Sequence, residues 1–266
     1  MIGILIGVAA VIITFLLKGV SPVILINLPS IFIVIVGSIG AVIASFGMDN
    51  FKRVPKLLGI ATKTYKSTAV ATRVQLVEFT ERARRAGLLD LEKDVEAVPD
   101  PFLKQGLQMV IDGMEPETVE EVMTMEIDSL KNRHAVGHQI WALWAGYAPT
   151  FGILGAVMGL IAVMAHLSEP EKLGAGIQVA FIATLLAVGL ANILFMPMSV
   201  ALKMKTNLEV AEKEMALAGI LALQAGDHPR VVAQKLDTFL TPAQRASIPD
   251  KGSSSAAAAG ASAEAA

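Results

Sequence analysis

The sequence predicts an all-α polytopic membrane protein: four transmembrane helices with a helical cytoplasmic domain. Three observations predict it. The 266 residues are 54% hydrophobic and only 17% charged, where a soluble domain carries about 25% charged residues; the mean hydropathy is +0.60. Charge is also segregated. Asp, Glu, Lys and Arg are absent from residues 1–17, 19–48, 134–168 and 173–202, and all but four of them fall in Asp49–Arg133 or from Lys203 onward. Finally, the uncharged stretches are about as long as a bilayer-crossing helix, which takes roughly 17–25 residues.

The first span, residues 1–17, reads "IGILIGVAAVIITFLL" after its methionine. It is short for a bilayer, but Lys18 at its end can extend its stem to the interface. It lacks a basic leading region and a convincing cleavage site, so it is expected to be a retained span and not a signal peptide. The second span is residues 28–46. Pro29 is tolerated there because first-turn amides have no intrahelical partner. The third span is residues 146–167 and the fourth residues 176–198. Short loops join the first to the second and the third to the fourth. The soluble parts are therefore residues 49–133 and 203–249, and an even span count places both on one side. Lys52, Arg53, Lys56, Lys63 and Lys66 follow the second span, and Lys203 and Lys205 follow the fourth. The opposite face has Lys18 and Lys172. Positive residues favour the inside, so both termini are expected in the cytoplasm.

Within the middle block, Val54–Ala86 reads as largely helical, with Leu76, Phe79 and Ala83 at helical spacing. A turn and a short helix follow in "GLLDLEKDVEAVPD". Pro101–Asp112 is another helix, with Phe102, Leu103, Leu107, Val110 and Ile111 on its apolar face. From Pro116 a single long helix is expected to run into the third span, with Glu117 and Glu120 near its positive dipole end. The fourth span continues as helix beyond the membrane. A turn and a last short helix follow in "DHPRVVAQKLDTFLTPAQR". Residues 250–266, rich in Ala and Ser, have nothing large to bury and are expected to be disordered.

Composition excludes several function classes. The chain has no cysteine and a net charge of −2, so it has no disulfide or thiolate metal site and no case for a nucleic-acid partner. It contains no phosphate-binding glycine loop, no H-E-x-x-H and no G-x-S-x-G. No enzyme, metal or cofactor reading follows. His134 and His138 share a helix face beside Trp141 and Trp144, but two histidines fall short of a metal ligand set, and the group suits a headgroup layer. In the third span Gly152, Gly155 and Gly159 form one small face, with Ala156 beside it. In the fourth, Ala183, Ala187 and Ala191 form another. Such faces let helix backbones approach.

Two features go further. Pro149 and Pro197 occupy corresponding cytoplasmic ends of the third and fourth spans, as boundary residues or as kinks. Thr184 lies mid-span, either bonding its own i−4 carbonyl or lining a narrow hydrated path. Yet no span contains Asp, Glu, Lys or Arg. A chain that conducts ions without an ionisable group in its spans requires a partner that supplies one. In the cytoplasmic block, Arg84 and Glu92 stand on either side of a turn at Gly87. They read as a solvated charge run or as a charged docking face.

The ordered set "ARRAGLLDLE", "FLKQGLQMVIDGMEPETVEEVM", "APTFGILGAVMGLI", "AFIATLLAVGLANILFMP" and "GILALQAGDHPRVV" resembles the MotA/PomA family of flagellar motor stator subunits, up to about Arg245. The resemblance implies a pentamer of four-span subunits in the bacterial cytoplasmic membrane, around a dimer of a MotB-like partner. That partner supplies the ion-binding Asp. It also implies that Arg84 and Glu92 contact the rotor switch protein FliG, that Pro149 and Pro197 link ion flow to torque, and that Thr184 faces the ion path. Sodium-type relatives commonly carry threonine where this chain has Ala156, so the expected ion is the proton. The alternatives are a sodium-driven stator subunit, an ExbB/TolQ-like energiser of the cell envelope, and a membrane scaffold without ion coupling.

Overall fold

The computed structural model describes residues 2–168 and 170–248; the Ala/Ser-rich segment 250–266 lies outside the described residues. Among the described residues every regular element is helical. The chain divides into two compact units, one of Met1–Tyr65 with Lys131–Thr206, the other of Lys66–Leu130 with the chain from Asn207 onward.

The first unit holds the apolar helices. Helix α1, Ile2–Leu17, has 16 residues and no buried side chain. Helix α2, Leu28–Phe46, begins with Asn27 accepting from the Ser30 amide at 3.1 Å. Its middle, Phe32–Gly37, is a π turn. Helix α3, Val54–Thr62, carries Pro55 in its first turn. Among the described residues three helices are long and apolar enough to cross a membrane: Leu28–Phe46, the helix Pro116–Ala165, and Leu173–Gln224. Helix α1 is apolar but shorter than these.

The expected continuous helix from Val54 to Ala86 is broken. The backbone from Lys63 to Thr68 is not helical, and Lys63 is extended at ψ 150. Each side of the break has its own cap. The Lys205 ammonium donates to the carbonyls of Ile60, Ala61 and Lys63, satisfying groups that a helix C-terminus leaves unpaired. On the other side, the Thr68 amide and hydroxyl donate to Glu212 Oε2 at 3.3 and 2.9 Å. Nothing in local spacing announces either long-range cap.

The second unit has a soluble-type core. Helix α4, Ala69–Ala86, ends at Gly87, whose φ of +90 suits a residue without Cβ. A 3-10 turn, Leu88–Leu91, leads into α5, Glu92–Glu96. Helix α6, Pro101–Ile111, is capped by Asp100, which accepts from the Phe102 amide at 3.0 Å. Asp100 also receives the Lys213 ammonium at 3.0 Å. Leu76, Leu91, Leu103, Leu107, Met215 and Ile220 are almost wholly buried together. A Cβ on Gly106 would sit 2.5 Å from Ile220 Cδ1, so a glycine is what lets α6 lie this close.

Helix α7, Pro116–Ala165, is the single long helix expected, with 50 residues and Pro149 inside it. Helix α8 spans residues 170–224: an α segment Pro170–Gly189, a π turn Leu190–Phe195 and an α segment Met196–Gln224. It runs well past the expected fourth span, as anticipated. Where one last helix was expected there are two. Helix α9, Pro229–Asp237, is followed by α10, Pro242–Ala246, whose Thr241–Gln244 capping box defines a separate start. An ion pair from Arg73 to Asp237, at 2.9 Å, ties α9 to α4.

Candidate functional site

Antiparallel segments of α7 and α8 in the first unit meet through the two small-residue faces. A Cβ on Gly152 would lie 2.4 Å from Ala187 Cβ, one on Gly155 3.0 Å from Ala183 Cβ, and one on Gly159 3.1 Å from Ala180 Cβ. Ala183 and Ala187 are fully buried. With so little side chain between them the backbones come close enough for extensive dispersion contact, which lipid cannot match at that surface. Gly155 also faces Ile33 of α2, whose Cγ2 would be 2.9 Å from an added Cβ.

The sequence-predicted residues sit around this seam. Thr184 is half-buried, and its Cα would be 3.4 Å from a Cβ on Gly152. Its hydroxyl donates to the Ala180 carbonyl at 3.3 Å, the intrahelical bond that a membrane threonine makes when nothing else competes. Ala156 is half-buried, with buried Gly155 on one side and exposed Ile153, Val157 and Leu160 on the other. Pro149 is half-buried and interrupts α7 without ending it. It removes the donor that the Ala145 carbonyl would otherwise receive. Beyond it, the Thr150 hydroxyl donates to the Tyr147 carbonyl at 2.6 Å.

Pro197 lies just after the π turn of α8. A π turn adds one residue to a helical turn, which gives room for a ring that would otherwise clash with the carbonyl four residues back. A cavity of 290 Å³ lies between α2, α7 and α8, lined by Ser30, Ile33, Gly155 and Gly159 among others. None of Pro149, Ala156, Thr184 or Pro197 lines it.

Trp141 and Trp144 correct the headgroup-layer expectation. They are 3% and 8% exposed; inside the unit Trp144 stacks on Trp141 and on Phe195, and Trp141 lies tilted against Phe195. An indole is large and apolar enough that helix packing captures it when a facing surface exists. Polar residues in the spans were also overlooked. Ser30 and Ser38 are fully buried. Asn192, in the π turn, donates to the Val188 carbonyl at 3.0 Å. The available signal was a serine or amide inside an otherwise apolar run.

In the second unit Arg84 and Glu92 are both exposed, Arg84 on the last turn of α4 and Glu92 opening α5. The ion pairs at this corner belong instead to Arg82, which reaches Asp90 at 3.3 Å and Asp94 at 2.5 Å. The hydrogen bond that Arg82 donates to Asp90, reinforced by the charge of Asp94, holds the Arg82 pKa above its ordinary value. Arg84 lines an open groove of 590 Å³ with Glu81, Arg85, His228 and Arg230. The corner is thus braced by Arg82, while Arg84 and Glu92 project from it. Among the described residues no cluster of three or more His, Asp or Glu has a metal-binding arrangement.

Comparison with known proteins gives a consistent result. The family model described as the MotA/TolQ/ExbB proton channel family matches residues 94–215. Motility protein A of Borreliella burgdorferi is 38% identical over 222 residues, covering 84% of this chain and 85% of its own. Motility protein A of Bacillus subtilis is 38% identical over 253 residues, covering 95% of this chain and 94% of its own. The solved flagellar MotAB stator complex from Bacillus subtilis contains a chain that superposes with a TM-score of 0.86 at 38% identity, covering 94% of this chain and 98% of that one.

Proposed function

The chain belongs to the motility protein A family, within the MotA/TolQ/ExbB proton channel group, and from that membership we propose how it works. It is a flagellar motor stator subunit that, with a MotB-like partner, couples inward proton flow to torque on the rotor. It is not an enzyme. One observation carries the mechanism: the apolar spans pack through a glycine–alanine seam and hold no Asp, Glu, Lys or Arg. A proton path needs a site whose charge can be neutralised and restored. This chain therefore forms the wall, and the partner's span supplies the carboxylate.

The finer reading follows from the same physics. Helix α1 is the first of four spans, and both termini lie in the cytoplasm, as the lysine asymmetry predicts. Five copies surround a dimer of the partner. Protonation of the partner Asp from outside removes a charge that is costly in a low-dielectric site, and this changes its fit against α7 and α8. Thr184 and Ala156 face the path on those helices. Pro149 and Pro197 loosen the backbone near the inner exit. Release of the proton restores the charge and advances the pentamer around the dimer. The exposed Arg84 and Glu92 then engage FliG by complementary charge. Ala156 supplies no oxygen ligand, which suits a proton better than a sodium ion that must be desolvated.

The test is complementation of a stator-deficient strain with this chain and its cognate partner. Swimming that is independent of sodium and abolished by a protonophore is expected. Sodium-dependent swimming that survives the protonophore overturns the choice of ion, and a chain that assembles with its partner yet never restores motility overturns the stator role.

A further inference from the structure

Two helix irregularities in the first unit converge on one side chain. The π turn of α2, Phe32–Gly37, is followed directly by Ser38, and the π turn of α8 ends at Phe195. Both residues touch Trp144 of α7. The indole Nε1 donates to Ser38 Oγ at 2.9 Å in a buried bond. The indole ring stacks on Phe195, with centroids 4.4 Å apart and planes at 19°. Trp141 stacks behind it at 5.6 Å.

The Ser38 bond does more than join two helices. The Ser38 hydroxyl donates a hydrogen bond to the Val34 carbonyl at 2.5 Å, and Val34 lies inside the π turn. The indole N–H, the serine hydroxyl and that carbonyl form a short polarised chain in a buried place, where each bond strengthens the next. The Val34 carbonyl also accepts the Ser38 backbone N–H, so Ser38 holds the end of the π turn through both its amide and its hydroxyl, and Trp144 in turn holds Ser38.

The location ties this contact to the prolines. Trp144 precedes Ala145, whose carbonyl loses its partner to Pro149. Phe195 lies in the turn before Pro197. The Trp144–Phe195 stack also continues the antiparallel register of the seam, in which Gly152 faces Ala187. The two proline-weakened stretches are therefore pinned together at a single level.

We infer that Trp144 is a positioning residue for torque generation, clasping the π turns of α2 and α8 so that the segments bearing Pro149 and Pro197 keep a set angle. This rests on the reading of the two prolines as torque-linked. Ser38 is its hydrogen-bond anchor and Phe195 its stacking anchor.

The experiment places W144F, S38A, the W144F/S38A double variant and P149A, each with the cognate partner, in a stator-deficient strain. Two quantities are measured: the amount of assembled complex in the membrane, and the speed that each newly incorporated stator adds to a single motor under low load. W144F keeps a stackable ring and loses the N–H. W144F and S38A are each expected to lower the speed per stator by about two- to fivefold, the scale of one net hydrogen bond, with normal amounts of complex. The double variant is expected to be no slower than either single, because both remove the same bond. Parental speed in W144F overturns the inference. So does a loss explained by reduced complex, or losses that multiply in the double variant. P149A separates the two claims. Slow P149A with parental W144F overturns the inference and leaves the proline reading standing, whereas parental P149A with slow W144F overturns the proline reading alone.

Discussion

Residues that act outward and residues that hold the fold stand side by side on the corner between α4 and α5. Arg82 faces two carboxylates, whereas Arg84 and Glu92 project into solvent. Charge reversal at Arg84 or Glu92 is expected to lower torque by about fivefold or more while membrane assembly is unchanged, the effect of turning one complementary contact into a repulsive one. Motor speed and quantitative blotting of membranes check this together. Arg82→Ala is expected to do something different: loosen the α4–α5 junction, detected as faster amide exchange at Leu88–Leu91. At the seam, Gly152→Ala places a methyl 2.4 Å from Ala187 Cβ. It is expected to cost roughly 1–3 kcal/mol, read as a lower unfolding temperature of the detergent-solubilised complex. Gly146→Ala, with open space around its Cβ, is the matched control and should be neutral or slightly stabilising.

At the scale of elements, α7 and α8 each contain a deliberate interruption of regular helix. In α7 it is a proline that the helix runs through; in α8 it is a π turn with Pro197 directly after it. A proline in a helix interior costs about 3 kcal/mol relative to an ordinary residue, and part of that cost has been relieved by local adjustment. Pro149→Ala and Pro197→Ala are therefore expected to leave thermal stability equal or higher, by up to about 1–3 kcal/mol, while motor torque falls at least tenfold. Stability that drops together with torque would contradict a mechanical role for the prolines. Span length and composition made these helices legible in the sequence, and the continuation of α7 from Pro116 was readable from its capping. The break after Thr62 was not. Its caps come from Lys205 and Glu212, which lie far away in the chain.

Taken whole, the molecule separates a seam-packed apolar unit from a unit with a conventional buried core. The expected spans hold no Asp, Glu, Lys or Arg, and on the proposed mechanism the ion-binding carboxylate belongs to the partner. Replacing the partner's ion-binding Asp with Asn is expected to abolish proton flow and swimming while leaving the complex intact, because Asn cannot lose and regain a proton. Residual rotation would place the ion site elsewhere. Engagement of the rotor by exposed charges is expected to weaken with salt, since the screening length contracts from about 10 Å at 0.1 M to about 3 Å at 1 M. Binding of the purified complex to the rotor switch protein, followed across that range, checks it.

The sequence by itself determined which stretches are apolar enough to enter a membrane, which faces are small enough to let helices touch, and that the expected spans hold no ionisable Asp, Glu, Lys or Arg. These are local properties of length, composition and spacing. Tertiary structure decided the rest: the π turns in α2 and α8, the inward turn of Trp141 and Trp144, the choice of Arg82 over Arg84 for the internal ion pairs, and the break at residues 63–68. The reason is physical. In a membrane helix the lipid-facing and protein-facing sides are both apolar, so periodicity cannot say which one will meet a neighbour. A buried indole is held by specific partners, here Ser38 and Phe195, that lie far from it in the chain.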